Sequence, residues 1–154
     1  MTTAEWLLFG HLLAVVAWVG ADAVLQVLAI RARRAGGERM VALLGDVEWL
    51  GTRYLIPASL LVVAFGFALL GEYDGVYELS QFWVSFGFAV FIASFIAGAG
   101  FLGPESGRLR KLAAARDPGD PEVQQRIRRI FLISRIELVL LIAAVFVMVA
   151  KPGL

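Results

Sequence analysis

A chain of 154 residues that is 60% hydrophobic, 18% charged and has a mean hydropathy of +0.79 is too apolar for a soluble domain of this size, and reads as a single all-α membrane domain. The absence of cysteine excludes disulfides, thiolate metal sites and iron–sulfur clusters, and a lone histidine excludes a multi-histidine zinc or di-iron site within one protomer. The net charge of +1 decides little, because in a membrane protein the placement of charge matters more than its sum.

Four spans are expected, over about 5–30, 54–71, 79–103 and 130–150, packed as a four-transmembrane-helix bundle. The first is not a secretory signal. No Lys or Arg precedes Arg31, and the apolar run from Trp6 to Ile30 exceeds the ~7–15 residues of a signal core, so it is expected to be retained. One stripe of this helix collects His11, Val15, Trp18, Asp22, Gln26 and Arg33, while its other faces are Leu, Val and Ala. Ionisable groups inside a bilayer are costly, so that stripe should face protein or water. Met40, Leu43, Leu44, Val47 and Leu50 then recur at helical spacing, which predicts an amphipathic helix over 38–50 lying in the interface.

The second span carries Pro57 in its first turn, where proline costs least. The third is rich in Phe and small residues, with Ser94 and Gly98 spaced for close helix contact, a face that would allow a homodimer. Asp120 as N-cap and Pro121 at the first helical position start the last helix, which runs from Pro121 to Ala150. Gly36-Gly37 and Asp117-Pro118-Gly119 read as turns.

Orientation follows from the basic residues. Thirteen of the 14 Lys and Arg lie within 31–53 and 104–135, and the short segment 72–78 has none but carries Glu72, Asp74 and Glu78. The positive-inside rule puts loops 31–53 and 104–129 in the cytoplasm, 72–78 outside, and both termini outside, in a bacterial plasma membrane. Trp6, Tyr73, Tyr77, Phe82 and Trp83 fall where an outer aromatic belt would lie. The basic loops should attract anionic lipid headgroups; nucleic-acid binding is not indicated, since these residues flank spans.

Two polar layers emerge from the spacing. Asp22 follows His11 by 11 residues, roughly 16 Å along a helix, and Met148 follows Glu137 by the same interval. If the first and fourth helices are antiparallel neighbours, Asp22 and Glu137 share an inner layer while His11 and Met148 share an outer one. The inner pair, joined by Gln26, Ser134 and Arg53 with Glu48, Glu105 and Arg108 near the mouth, reads either as carboxylates that pass a proton or as polar glue between helices. In the outer layer a buried imidazole can be an axial haem ligand, with Met148 as a second ligand and Trp18 walling a porphyrin, or it can simply bond a neighbouring backbone.

Across nearly its whole length the chain resembles a group of bacterial four-span integral membrane proteins catalogued as domain of unknown function 2269. The stretches that carry the resemblance are His11-Leu12-Leu13 with Trp18-Val19-Gly20, Glu48-Trp49-Leu50-Gly51 with Arg53, Pro57-Ala58-Ser59, Gly100 through Glu105 with Gly107-Arg108, Arg126 through Arg129, and Ser134-Arg135. This resemblance implies a fold and a membrane location and no settled activity. The first helix alone is also similar to the opening helix of haem-binding membrane protoporphyrinogen oxidases and copper-resistance D proteins. That similarity implies His11 as a ligand, with Trp18 and Gly20 lining the helix; the second Gly of those groups is Ala21 here.

The leading expectation is therefore a haem-associated redox or porphyrin-handling membrane protein that binds haem b through His11. A small proton-coupled transporter using Asp22 and Glu137, and a non-catalytic scaffold or accessory subunit of a larger membrane complex, are the readings from other classes.

Overall fold

The protein was analysed as a computed structural model that describes residues 2–73 and 75–153; Asp74, one of the acids expected on the external loop, lies outside the described residues. α1 spans Thr3–Ala35. It opens with a reciprocal cap: the Thr2 hydroxyl accepts from the Glu5 N–H at 3.3 Å while the Glu5 carboxylate accepts from the Thr2 N–H at 2.8 Å. It ends at Gly36, whose φ of 110° only glycine adopts easily. α2 (Gly37–Leu50) and α3 (Ile56–Glu72) follow, joined by a π-helical segment, Gly51–Leu55. α4 (Phe82–Phe95) and α5 (Gly103–Ala115) are joined in the same way through Ile96–Leu102, and α6 covers Pro121–Ala150. No strand occurs among the described residues.

Two sequence expectations change here. Residues 38–50 do not form a separate interfacial helix, and the third span does not stop at Gly103. Gly37–Glu72 and Phe82–Ala115 are continuous helices of 36 and 34 residues. Each π segment ends one residue short of a proline, with Ile56 before Pro57 and Gly103 before Pro104. A proline inside a helix lacks the N–H for the turn below and crowds the carbonyl four residues earlier. Widening the preceding turn relieves that conflict without breaking the helix.

All four long helices, Thr3–Ala35, Gly37–Glu72, Phe82–Ala115 and Pro121–Ala150, are long and apolar enough to cross a membrane. A 36-residue helix is about 54 Å long at 1.5 Å per residue, against a hydrocarbon core of ~30 Å, so the helices outrun a bilayer. We call the end with Thr3, Glu72, Phe82 and Ala150 upper and the end with the two basic loops lower. In the upper half α1 packs on α3 and α6, α6 packs on α4, and the α3–α4 seam is the thinnest. In the lower half α2 packs on α5 and on the last turns of α1, with the first turns of α6 completing the group.

Packing differs between the halves. The lower core is extensive: Leu44, Leu109 and Val123 are fully buried, with Met40, Ile127, Ile130 and Phe131 around them. The buried cluster of the upper half is smaller, Trp18, Ala58, Val90 and Leu141, with Ala14, Trp83 and Val84 buried apart from it. Apolar side chains above face outward instead, as with Phe146 at 70% and Val149 at 79% exposed. Water drives apolar burial below, whereas lipid tails solvate Val and Phe as well as a protein interior does.

The lower end is finished by a turn and an ion-pair string. The Gly119 N–H donates to Asp117 Oδ1 at 2.7 Å, and Asp120 caps α6 by accepting from the Glu122 N–H at 2.8 Å. Arg116 and Arg126 share Glu122 at 2.7 and 3.3 Å, and Arg126 also reaches Glu105 at 3.0 Å.

Candidate functional site

The upper and lower halves each enclose a cavity. The lower one, about 250 Å³, is where the carboxylates meet. Asp22 enters from α1 and Glu137 from α6, and both are buried, at 5% and 8% exposure. Ser59 of α3 and Ser94 of α4, each only 3% exposed, complete the ring. Both π segments form part of the wall, through Gly51, Thr52 and Leu55 on one side and Gly98, Ala99 and Leu102 on the other. At this level the two helices run past each other and touch. Wide turns of this kind leave backbone carbonyls without their usual partners and are frequent at functional sites.

Hydrogen bonding around the pair is incomplete. Gln26 Nε2 donates to Ser134 Oγ at 2.5 Å, which leaves the serine hydroxyl hydrogen available inside the same wall as Asp22. Asp22 Oδ2 and Ser94 Oγ are buried without a partner among the described residues. Glu137 lies beside Gly98, where a Cβ would stand in ordinary van der Waals contact, 3.8 Å from Oε1. Glu48 lines the rim of the cavity and is bridged to Arg110 at 3.1 Å.

The upper cavity, about 430 Å³, is larger and mostly apolar. His11 and Met148 both line it, from opposite seams. His11 faces α3, where Nδ1 lies 2.9 Å from the Val62 carbonyl oxygen. The nitrogen must carry a proton to donate to that oxygen, so Nε2 is left as an acceptor. Met148 faces α4, with its terminal methyl seated on Gly87. Tyr73, Tyr77, Trp83 and Lys151 close the top.

One residue belongs to both walls. Trp18, 6% exposed, lines the lower cavity and the upper one, packed in the layer with Ala58, Val90 and Leu141 and edge-on to Phe91 at 6.1 Å between ring centroids.

Of the residues singled out in the sequence, Asp22, Glu137 and Ser134 thus line one cavity, His11 and Met148 line the other, and Trp18 separates the two. Gln26 joins the lower group through Ser134. Arg53 does not join it. It is exposed on the π segment and lines neither cavity; in the phase of α2 it lies opposite the buried Leu44. Glu105 is likewise held outside the cavity by Arg126, with Arg108 more distant at 4.0 Å. Ser94 and Gly98, expected to offer a face to a second copy, are spent inside the chain on the lower cavity. Sequence reasoning missed Ser59, both π segments and the Lys151 group. Pro57 and Pro104 inside long apolar runs were the signal for the π segments. The signal for the last was that Lys151 is the one basic residue outside the two lower segments. Among the described residues, no three His, Asp or Glu side chains are grouped to hold a metal ion.

Fold and cavities together define a polytopic helical membrane protein with two carboxyl groups buried between its spans. The chain belongs to the family described as predicted integral membrane protein (DUF2269), which it matches over residues 5–152. No curated protein and no solved structure matches it, so the likeness of α1 to haem-binding and copper-resistance proteins has no counterpart in these comparisons.

Proposed function

We propose that the protein is a small proton-coupled transporter in which Asp22 and Glu137 form the proton site and the layer around Trp18 is the barrier. The observation that carries this reading is the convergence of two carboxyl groups from different helices on one cavity, bounded by both π segments. Carboxyl groups inside a membrane bundle that are not paired with arginine are the usual substance of proton relays. Here no arginine bridges Asp22 or Glu137 among the described residues, and Arg108, Arg110, Arg116 and Arg126 pair with Glu48, Glu105, Asp120 and Glu122 instead, which leaves the two buried carboxyl groups to share protons with each other and with the cavity. The Ser134 hydroxyl and the unpartnered Ser94 hydroxyl are the groups placed to accept or hand on such a proton. The lower end faces the cytoplasm in this reading, with Arg-rich loops against anionic headgroups and both chain ends outside.

The test is proton entry into liposomes that contain a trapped pH dye, driven by a potassium diffusion potential. Wild type should exceed empty vesicles, and both Asp22→Asn and Glu137→Gln should fall to the empty-vesicle rate. Flux that survives both substitutions would overturn the proposal.

A second reading, haem association through His11, has one specific observation in its favour. Metal-binding histidines commonly donate their other ring N–H to a carbonyl, as His11 does to Val62. His11 would hold a haem iron through Nε2, with Val62 orienting the imidazole and Trp18 below it, and the haem would supply one-electron chemistry. Met148 fits less well as a second ligand, because its end is committed to Gly87 across the cavity. An absorption spectrum of protein expressed with a haem precursor tests this: a reducible Soret band lost in His11→Ala supports it, and a featureless spectrum removes it.

A further inference from the structure

The top of the upper cavity holds a cluster that the carboxylate reading does not use. Lys151 follows the last turn of α6 in a left-handed conformation (φ 42°), which turns its side chain back across the bundle end. Its ammonium donates to the Tyr77 hydroxyl at 3.0 Å. It also lies 4.6 Å from the Tyr77 ring centroid and 5.3 Å from that of Trp83. Tyr77 stands edge-on to Trp83 at 5.1 Å. Trp83 is buried, at 8% exposure, and its indole N–H has no acceptor among the described residues. Glu78, on the neighbouring loop, accepts from Ser80, and no described carboxylate pairs with Lys151.

These groups are one-sided in chemistry. Ammonium and indole N–H only donate, and the tyrosine hydroxyl, already an acceptor for Lys151, keeps its own hydrogen to give. A buried indole N–H without an acceptor is costly and calls for a partner from outside the chain. Below the cluster the cavity is walled by Leu12, Val15, Val62, Val84, Phe88 and Leu141 and descends to Trp18. From Lys151 to Leu141 is ten residues of α6, so the depth is about 15 Å. Donors at one end and an apolar cavity beneath them complement an anion with an alkyl tail.

We propose that the upper cavity binds a single-chain anionic amphiphile, a long-chain carboxylate, with its head between Lys151, Tyr77 and Trp83 and its tail against Trp18. The carboxylate accepts from the ammonium and the indole N–H, and the tail lies along the apolar wall beside His11. The site is separate from the Asp22–Glu137 pair and holds whether or not that pair moves protons.

The test uses full-length protein in mild detergent, titrated with 12-bromododecanoate, whose terminal bromine quenches nearby tryptophan fluorescence. Saturable quenching is expected, its amplitude falling in Trp18→Phe because the bromine lies at the cavity floor. Lys151→Gln should weaken binding by about tenfold, the equivalent of one charge-assisted hydrogen bond. Trp83→Phe should weaken it less, and Lys151→Arg should restore it. Circular dichroism checks that each variant keeps its helix content, and the exposed end of α6 makes loss of fold at position 151 an avoidable outcome. Three results would each overturn the proposal: equal binding of the methyl ester, equal binding by Lys151→Gln, or tighter binding of 12-bromododecyltrimethylammonium, which would make the aromatic rings a cation cage.

Discussion

Gly10 and Gly20 stand on the same helix, yet the structure gives them opposite meanings. A Cβ on Gly10 would come 2.8 Å from the Phe65 ring, so this glycine sets how closely α1 approaches α3. A Cβ on Gly20 would meet nothing within 4 Å. Gly10→Ala should therefore cost about 1–3 kcal/mol by overpacking. Gly20→Ala should be neutral or stabilise by up to about 1 kcal/mol through helix propensity. Thermal unfolding in one detergent compares them directly. The sequence could not have separated the two, since both lie in the same apolar run and only the partner helix distinguishes them. His11, Asp22 and Trp18 were legible because polar or bulky groups on one stripe of an otherwise aliphatic helix must face the bundle. Arg53 was grouped with them by depth alone, although in the phase of α2 it lies opposite the buried Leu44.

At the scale of elements, the lower half has a closely packed apolar core, whereas many apolar side chains of the upper half face outward. Leu109→Ala should cost about 2–5 kcal/mol, the range for emptying a close-packed core site. Phe146→Ala, in a side chain 70% exposed toward lipid, should stay within about 0.5 kcal/mol. Limited proteolysis of the lower loops would report the first loss without any need to unfold the spans. The π segments make a sharper prediction. Inserting one alanine after Leu102, past the wide turn that already absorbs an extra residue, swings α5 by about 100° relative to α4. Leu109 and Ala113 would leave the lower core, and the lower half should become protease-sensitive while the spans stay helical. Four spans were readable from hydropathy alone. The lower core was not, because its apolar residues recur sparsely between charges, and because prolines at 57 and 104 look like helix ends until the wide turns ahead of them are seen.

For the whole molecule, the charge map fixes a testable topology. The chain has no cysteine, so single substitutions give clean accessibility probes. Ser80→Cys should react with a membrane-impermeant maleimide in intact cells, and Ala35→Cys only after the membrane is opened. The reverse pattern would invert the molecule and the direction of the proposed flux. The ion pairs of the lower end are mostly half-exposed and are worth about 1 kcal/mol or less each, so salt should move stability little. The pairing of Asp22 with Glu137 in one cavity was foreshadowed by the equal 11-residue intervals. Its closure by Ser59 and Ser94 was not, since serines within apolar helices carry no directional signal of their own.

Trp18 is a single rigid ring that serves as floor to one cavity and ceiling to the other. Two compartments with a common wall cannot be thermodynamically independent once that wall moves. Any occupant above that displaces the ring changes the affinity of the carboxyl pair for protons, and by linkage protonation changes the affinity for that occupant by the same factor. The signature is a pH dependence of the dissociation constant for 12-bromododecanoate that shrinks, in an Asp22→Asn, Glu137→Gln double variant, to what His11 and the ligand's own carboxyl group contribute. The part lost in the double variant would measure the work passed through one indole.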